Sequence, residues 1–153
     1  MEEVEVSFLI NPSFEGKEDH WARINFANAT TLGFDPVQGV SAKSGNIFLT
    51  LRSSVASGSI GQDVITPQGL TSISAFAWVR AGLDGPVSGA LAIWQLDTDP
   101  DRPMSAAFVA GNEWTLVTST LDFPNPTASK TIRIEVYVNE ANKSLLIDSV
   151  NAF

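Results

Sequence analysis

The sequence predicts an all-β chain whose strands pack as two antiparallel sheets, and three observations carry that expectation. Val, Ile and Thr number 13, 10 and 11 among 153 residues, a β-branched share that favours strands. Charged residues make up only 17%, low for a helical bundle. The longest stretch free of Gly and Pro, Thr127 to Phe153, is the best place for a helix. It opens instead on Thr131-Ile132-Arg133-Ile134-Glu135-Val136-Tyr137-Val138-Asn139, a strict alternation of period two.

The elements follow in order. Val4, Val6, Phe8 and Ile10 alternate with Glu3, Glu5 and Ser7 as an opening strand, which Asn11-Pro12-Ser13 ends. His20 to Phe26 reads as a weaker strand. Thr30 to Gly45 is irregular, punctuated by Gly33, Pro36, Gly39 and Gly45. Asn46 to Arg52 sets Ile47, Leu49 and Leu51 against Phe48, Thr50 and Arg52. Ser59 to Ile65 is a strand, and Thr66-Pro67-Gln68-Gly69 is a turn. Leu70 to Arg80 and Ser88 to Leu96 are strands on either side of a Gly-rich loop. Asp97 to Pro103 is an acidic loop. Ser105 to Ala110, Trp114 to Leu121, Thr131 to Asn139 and Ser144 to Phe153 complete the set. Short strands at roughly 8–12-residue spacing, divided by turn signals, mean a sandwich or barrel. A Greek-key or jelly-roll path is the natural way to close so many antiparallel strands. No internal repeat or linker interrupts the chain, so residues 1–153 are expected to form one domain.

Composition narrows the chemistry. Without cysteine there is no disulfide, thiol nucleophile or Cys-based zinc site. A net charge of −8 repels nucleic acid and anionic lipid, so neither is an expected partner. No apolar run approaches the ~20 residues of a spanning helix. Met1-Glu2-Glu3 does not begin a signal peptide. The chain is therefore expected to be cytosolic, a phage-type structural piece, or a module of a longer secreted protein. His20 is the lone histidine, and no Gly-x-Ser-x-Gly elbow surrounds a serine, so a Ser-His-Asp hydrolase is not expected. Apart from Glu135, the carboxylates fall mostly in loops, which gives little basis for a glycosidase pair. Asp97-x-Asp99-x-Asp101 starts like a calcium loop, but Arg102 and Pro103 follow where Gly is needed. The expectation is a protein that is not an enzyme.

One motif is more specific. Asn11-Pro12-Ser13-Phe14-Glu15-Gly16, with Trp21 after it, is followed in order by Ser44-Gly45-Asn46, Gly61-Gln62-Asp63-Val64, Phe76-Ala77-Trp78-Val79-Arg80, Trp114, Tyr137-Val138 and Ile147-Asp148-Ser149-Val150. This succession resembles carbohydrate-binding modules of families 4, 9 and 22, with a galactose-binding-like jelly roll. The resemblance covers nearly the whole chain. It implies a non-catalytic module that binds a polysaccharide or oligosaccharide on its concave sheet. Such a module would be secreted as part of a larger polysaccharide-active protein and tethered to a catalytic domain.

The resemblance also implies a structural Ca2+, with Glu15 and Asp148 as side-chain ligands and a backbone carbonyl near Lys43. Calcium takes several hard oxygens, which two carboxylates help to supply. For the glycan, Arg133, Glu135, Tyr137 and Asn139 share one face of their strand, while Ile132, Ile134, Val136 and Val138 share the other. Aromatic rings suit the CH faces of sugars and planar polar groups suit their hydroxyls. Trp78, Trp94, Arg52 and Gln62 complete the candidate set. Trp114 is expected in the core, and Trp21 in the core or the cleft. Family 22 often carries an aromatic after an Arg such as Arg52, and Glu at the position of Asn139. Ser53 to Ser57 holds no aromatic, which points away from xylan-type recognition. A jelly-roll used for assembly, such as a phage tail or surface attachment domain with a protein partner, is the alternative.

Overall fold

The computed structural model describes residues 7–153. Ten strands run in chain order: β1 Ala22–Arg23, β2 Thr30–Gly33, β3 Leu49–Ser53, β4 Gly58–Ile65, β5 Ser72–Ala81, β6 Val87–Gln95, β7 Arg102–Ala110, β8 Thr115–Asp122, β9 Thr131–Val138 and β10 Ser144–Ala152. They form two five-stranded sheets. The front sheet has the order β1-β4-β9-β6-β7 and the back sheet β2-β3-β10-β5-β8. Every pairing is antiparallel. This is an all-β jelly-roll sandwich, as the sequence predicts.

The alternation builds the core. Ile60, Leu91, Ile93, Ile132, Ile134 and Val136 face inward from the front sheet. Leu49, Leu51, Ile73, Val79, Leu145 and Ile147 meet them from the back, none more than 1% exposed. Antiparallel partners share a face, so Ile134 pointing inward places Gln62 and Ile93 inward beside it.

The strand bounds differ from expectation mainly at the start. Of the expected opening strand, residues 3–6 lie outside the described residues. Residues 7–10 are irregular, joined to β10 by Phe8 N–H donating to the Ala152 carbonyl at 2.8 Å. Pro12 cannot donate to a ladder; its carbonyl accepts from Val150 instead. The expected strand at His20–Phe26 shrinks to β1, because the chain turns left-handed at His20 and Phe26.

The Asn-Pro-Ser-Phe-Glu motif is structural. The Asn11 side chain bonds the Gly16 N–H at 2.9 Å and the Lys17 and Asp19 carbonyls, fixing the loop. Phe14 then drops fully into the core, its ring 5.1 Å from that of Trp21. Trp21 is a core residue whose indole N–H bonds the Asn11 carbonyl. Trp114 departs from expectation. It is half-buried at the start of β8, edge-on to Phe48, and its N–H ties down the Ser41 carbonyl at 2.8 Å. It pins the segment 34–48 rather than filling the core.

Candidate functional site

The front face is built around β9, which lies between β4 and β6. Arg133, Glu135 and Tyr137 point outward from it. Register places Asp63, Gly61 and Ser59 of β4 on one side, and Trp94, Ala92 and Ala90 of β6 on the other. Gly61, Ala90 and Ala92 are small, so Trp94, Arg133 and Tyr137 stand above a low floor.

Hydrogen bonds fix these side chains. The Trp94 indole N–H donates to the Tyr137 hydroxyl at 3.2 Å. Arg133 grips Asp63 through two contacts of 2.7 and 3.1 Å, an in-plane fork that leaves little rotamer freedom. Glu135 is 3% exposed at the base and accepts from the Ser59 hydroxyl. Ser59 Oγ in turn accepts the Asn25 N–H at 2.8 Å. A recess of about 230 Å³ results, with Ile24 and Asn25 on one wall and Trp94, Leu96 and Asp101 on the other. Burial and the neighbouring Glu135 carboxylate push the Tyr137 hydroxyl up to about 12, so the ring carries a neutral O–H at ordinary pH.

Four predicted residues therefore come together: Trp94, Arg133, Glu135 and Tyr137. Four others do not. Gln62 faces inward, where its amide makes two bonds, of 2.7 and 2.9 Å, to the backbone of Ile10. It is Asp63, one residue on, that shares the face of Arg133. Arg52 lies in the back sheet, bonded to Asp84 at 2.6 Å and Ser144 at 3.0 Å. Trp78 is on the outer face of the back sheet, with the Lys43 ammonium 4.0 Å from its ring centroid. Asn139 sits one residue past β9, accepting from the Ser57 hydroxyl while its N–H donates to Ser88. It closes the strand end and does not line the recess.

Ser59, Asp63, Asn25 and Asp101 were not among the predicted residues. A signal existed for the first two. Ile60 and Val64 are apolar in the same phase as Gln62, which sends Ser59 and Asp63 outward. Nothing local marks Asn25 or Asp101, because loop folding places them.

The predicted metal residues gather behind the back sheet. Asp148 is fully buried; its oxygens accept the Ser44 N–H at 2.9 Å and the Ser149 N–H at 2.8 Å. One Glu15 oxygen accepts the N–H groups of Asn46 at 2.7 Å and Ile47 at 3.1 Å. The turn 43–47 is thus held by two carboxylates. Gly45 is required there: its φ is +61°, and a Cβ would lie 1.9 Å from that Glu15 oxygen. Burial pushes the Asp148 carboxyl up to about 6, and the nearby Glu15 charge adds to the rise. Neither carboxylate has a salt bridge to Lys or Arg among the described residues. Calcium takes about six to eight oxygens; here both Asp148 oxygens and one Glu15 oxygen accept backbone N–H groups, and no group of three or more His, Cys, Asp or Glu that could hold a metal gathers among the described residues.

Comparison with known proteins places the fold. No family model matches, and no curated protein sequence matches. Solved structures do. TmCBM61 in complex with β-1,4-galactotriose is similar at a TM-score of 0.70, with 19% identity over 97% of this chain and 99% of that one. The CBM22-1 xylan-binding domain of Paenibacillus barcinonensis Xyn10C is similar at 0.68, with 14% identity over 92% and 89%. The CBM22-1–GH10 modules of Clostridium thermocellum Xyn10B, complexed with xylohexaose, are similar at 0.64, with 17% identity over 92% of this chain and 27% of that one. The fold is that of the jelly-roll carbohydrate-binding modules.

Proposed function

We propose that this chain is a non-catalytic carbohydrate-binding module that takes a polysaccharide or oligosaccharide on the front face. The observation that carries the reading is the recess itself. An indole and a phenol locked to each other stand beside a forked Arg–Asp pair and a buried carboxylate. A pyranose presents CH groups on its faces and hydroxyls around its edge. Trp94 and Tyr137 suit the former, and Glu135, Asp63 and Arg133 the latter. The recess is smaller than the ~300–1,000 Å³ of enclosed ligand sites, so it suits one or two sugar rings of a chain that continues into solvent. No proton relay or nucleophile is needed, and the bound glycan leaves uncleaved.

The fold neighbours support this reading: one holds galactotriose, and another is joined to a GH10 module. By the same analogy, this chain works as a secreted module tethered to a polysaccharide-active domain. Its −8 charge disfavours nucleic acid and anionic lipid as partners, and no helix is long and apolar enough to cross a membrane among the described residues. A structural calcium held by Glu15 and Asp148, with a carbonyl near Lys43, would tie the first loop and the last strand to the turn 43–47. It would supply rigidity and no chemistry.

The test is an NMR titration with β-1,4-galactotriose, xylohexaose and the hits of a neutral-glycan array. The Trp94 indole N–H resonance should move with ligand, and Tyr137→Ala should suppress that movement while the fold persists. A Trp94 resonance that stays still for every glycan would remove the front-face site.

A further inference from the structure

The outer face of the back sheet is divided in two. Over β3 and β10 it lies under the segment 34–48, so Leu146 and Asp148 are buried although they point away from the core. Over β5 and β8 it is open. Phe76 and Trp78 of β5 stand there beside Leu116 of β8, which is 45% exposed. Phe153 adds a ring 6.1 Å from that of Phe76. These groups are not needed by the interior. The same strand already sends Ile73, Ala75, Ala77 and Val79 inward at no more than 1% exposure. An apolar shelf on the solvent face of a complete strand calls for an occupant.

The shelf is also shaped and edged with polar groups. β10 slips its register against β5 between Asp148 and Asn151, with Ser149 left-handed at φ +50°. Such a bulge bends the strand and re-aims its side chains. It brings Ser149 and Asn151 to the rim of a depression of about 540 Å³ that Trp78 and Phe76 also line. The Asn151 amide N–H donates to the Ser149 carbonyl, while its side-chain oxygen accepts no hydrogen bond among the described residues. Across the depression, the Ser74 hydroxyl pairs with that of Thr120 at 2.7 Å. No carboxylate side chain lines it, and the Lys43 ammonium lies 4.0 Å from the centroid of the Trp78 ring at its edge.

We propose that this depression is a second saccharide site, facing away from the first. It takes one or two pyranose units of a glycan that carries no cationic group. The lining of aromatic, hydroxyl and amide groups matches a polyol, and the Lys43 ammonium on the Trp78 ring can donate to its hydroxyls while repelling a cationic sugar. The volume lies within the ~300–1,000 Å³ of small-ligand sites. Sites on opposite faces of a sandwich cannot hold the same short oligosaccharide, so the module can bridge two glycan chains. The proposal stands whether or not the front recess binds.

The experiment follows the Trp78 indole N–H resonance in full-length Tyr137→Ala during titration with β-1,4-galactotriose, xylohexaose and the hits of a neutral-glycan array. The Trp78 signal should move with at least one of them, at a midpoint that Tyr137→Ala leaves unchanged while the Trp94 midpoint rises about tenfold. Leu116→Ala, a change at an exposed position, should weaken that response at least tenfold and leave the Trp94 response of the otherwise native chain intact. A Trp78 resonance that stays still with every glycan overturns the second site even if Trp94 responds. Light scattering that reveals a dimer dissolved by Leu116→Ala assigns the shelf to a second copy and overturns it too.

Discussion

β9 of the front sheet and β10 of the back sheet obey the same alternation, yet their outward residues meet different fates. Arg133, Glu135 and Tyr137 border an open recess. Leu146 and Asp148 are sealed beneath the segment 34–48. The strands decide only which way a side chain points. What lies above it is decided by connections: short ones around the front face, and the long β2–β3 connection over half of the back. That connection stays down because Asp148, Glu15 and the Trp114 N–H each bond its backbone. One face is therefore held by its loop and the other is free to hold a ligand.

The largest expected effect lies on the covered face. Asp148→Ala removes a buried acceptor and leaves the Ser44 N–H unpaired, which costs about 1–3 kcal/mol. The melting temperature should fall by several degrees, and the Trp78 environment should change while that of Trp94 does not. If calcium occupies the pair, EDTA lowers the melting temperature of the native chain and has no effect on Asp148→Ala. A native melt that ignores EDTA, starting from a calcium-loaded sample, contradicts the metal.

Next comes the open face. Tyr137→Ala should weaken front-face glycan binding about tenfold, the affinity itself lying in the micromolar to millimolar range, and shift the melt by under about 2 °C. A melt that falls as far as with Asp148→Ala would show that the ring is holding the fold together.

How much of this was legible follows from where each feature is encoded. The period-two pattern of Thr131 to Asn139 is local, so it identified β9, its inward Ile and Val residues, and the shared outward face of Arg133, Glu135 and Tyr137. The position of Trp94 beside them depends on β6 pairing with β9, and it was among the candidates on residue type alone. Gln62 was misplaced, although Ile60 and Val64 carry its phase. Trp78 and Arg52 were grouped with the recess because alternation does not say which sheet a strand joins. Trp114 was assigned to the core, whereas it serves the loop, whose path no periodicity records.

A smaller and cleaner effect belongs to Tyr137, the only tyrosine of the chain. Its phenolate absorbance should titrate near 12, reflecting burial and the Glu135 charge. The sign is that of a raised group: the neutral phenol is favoured by folding, so its contribution is present below the ordinary value near 10 and is lost as pH rises through about 12. Glu135→Gln should bring the midpoint down. A midpoint near 10 in the native chain would mean that the ring is free in solvent.

The smallest effect lies at the Arg52–Asp84 pair on the back sheet. Partial burial pushes the Asp84 carboxyl up, but the Arg52 and Ser144 hydrogen bonds outweigh it and hold the group below the usual range. A lowered carboxyl contributes above its unfolded value and loses that contribution as pH falls through the folded one. The pair is solvent-exposed, so Asp84→Asn should cost less than about 1 kcal/mol at neutral pH and reduce acid sensitivity below pH 4. Front-face binding should not change.

The most direct test of the front face as a glycan site is the Trp94 indole N–H resonance, followed through titration of the native chain and of Tyr137→Ala with the best hit of a neutral-glycan array. The expected result is a saturable shift in the native chain that is suppressed in the variant at unchanged melting temperature. A Trp94 shift of the same size and midpoint in both proteins would place the glycan elsewhere.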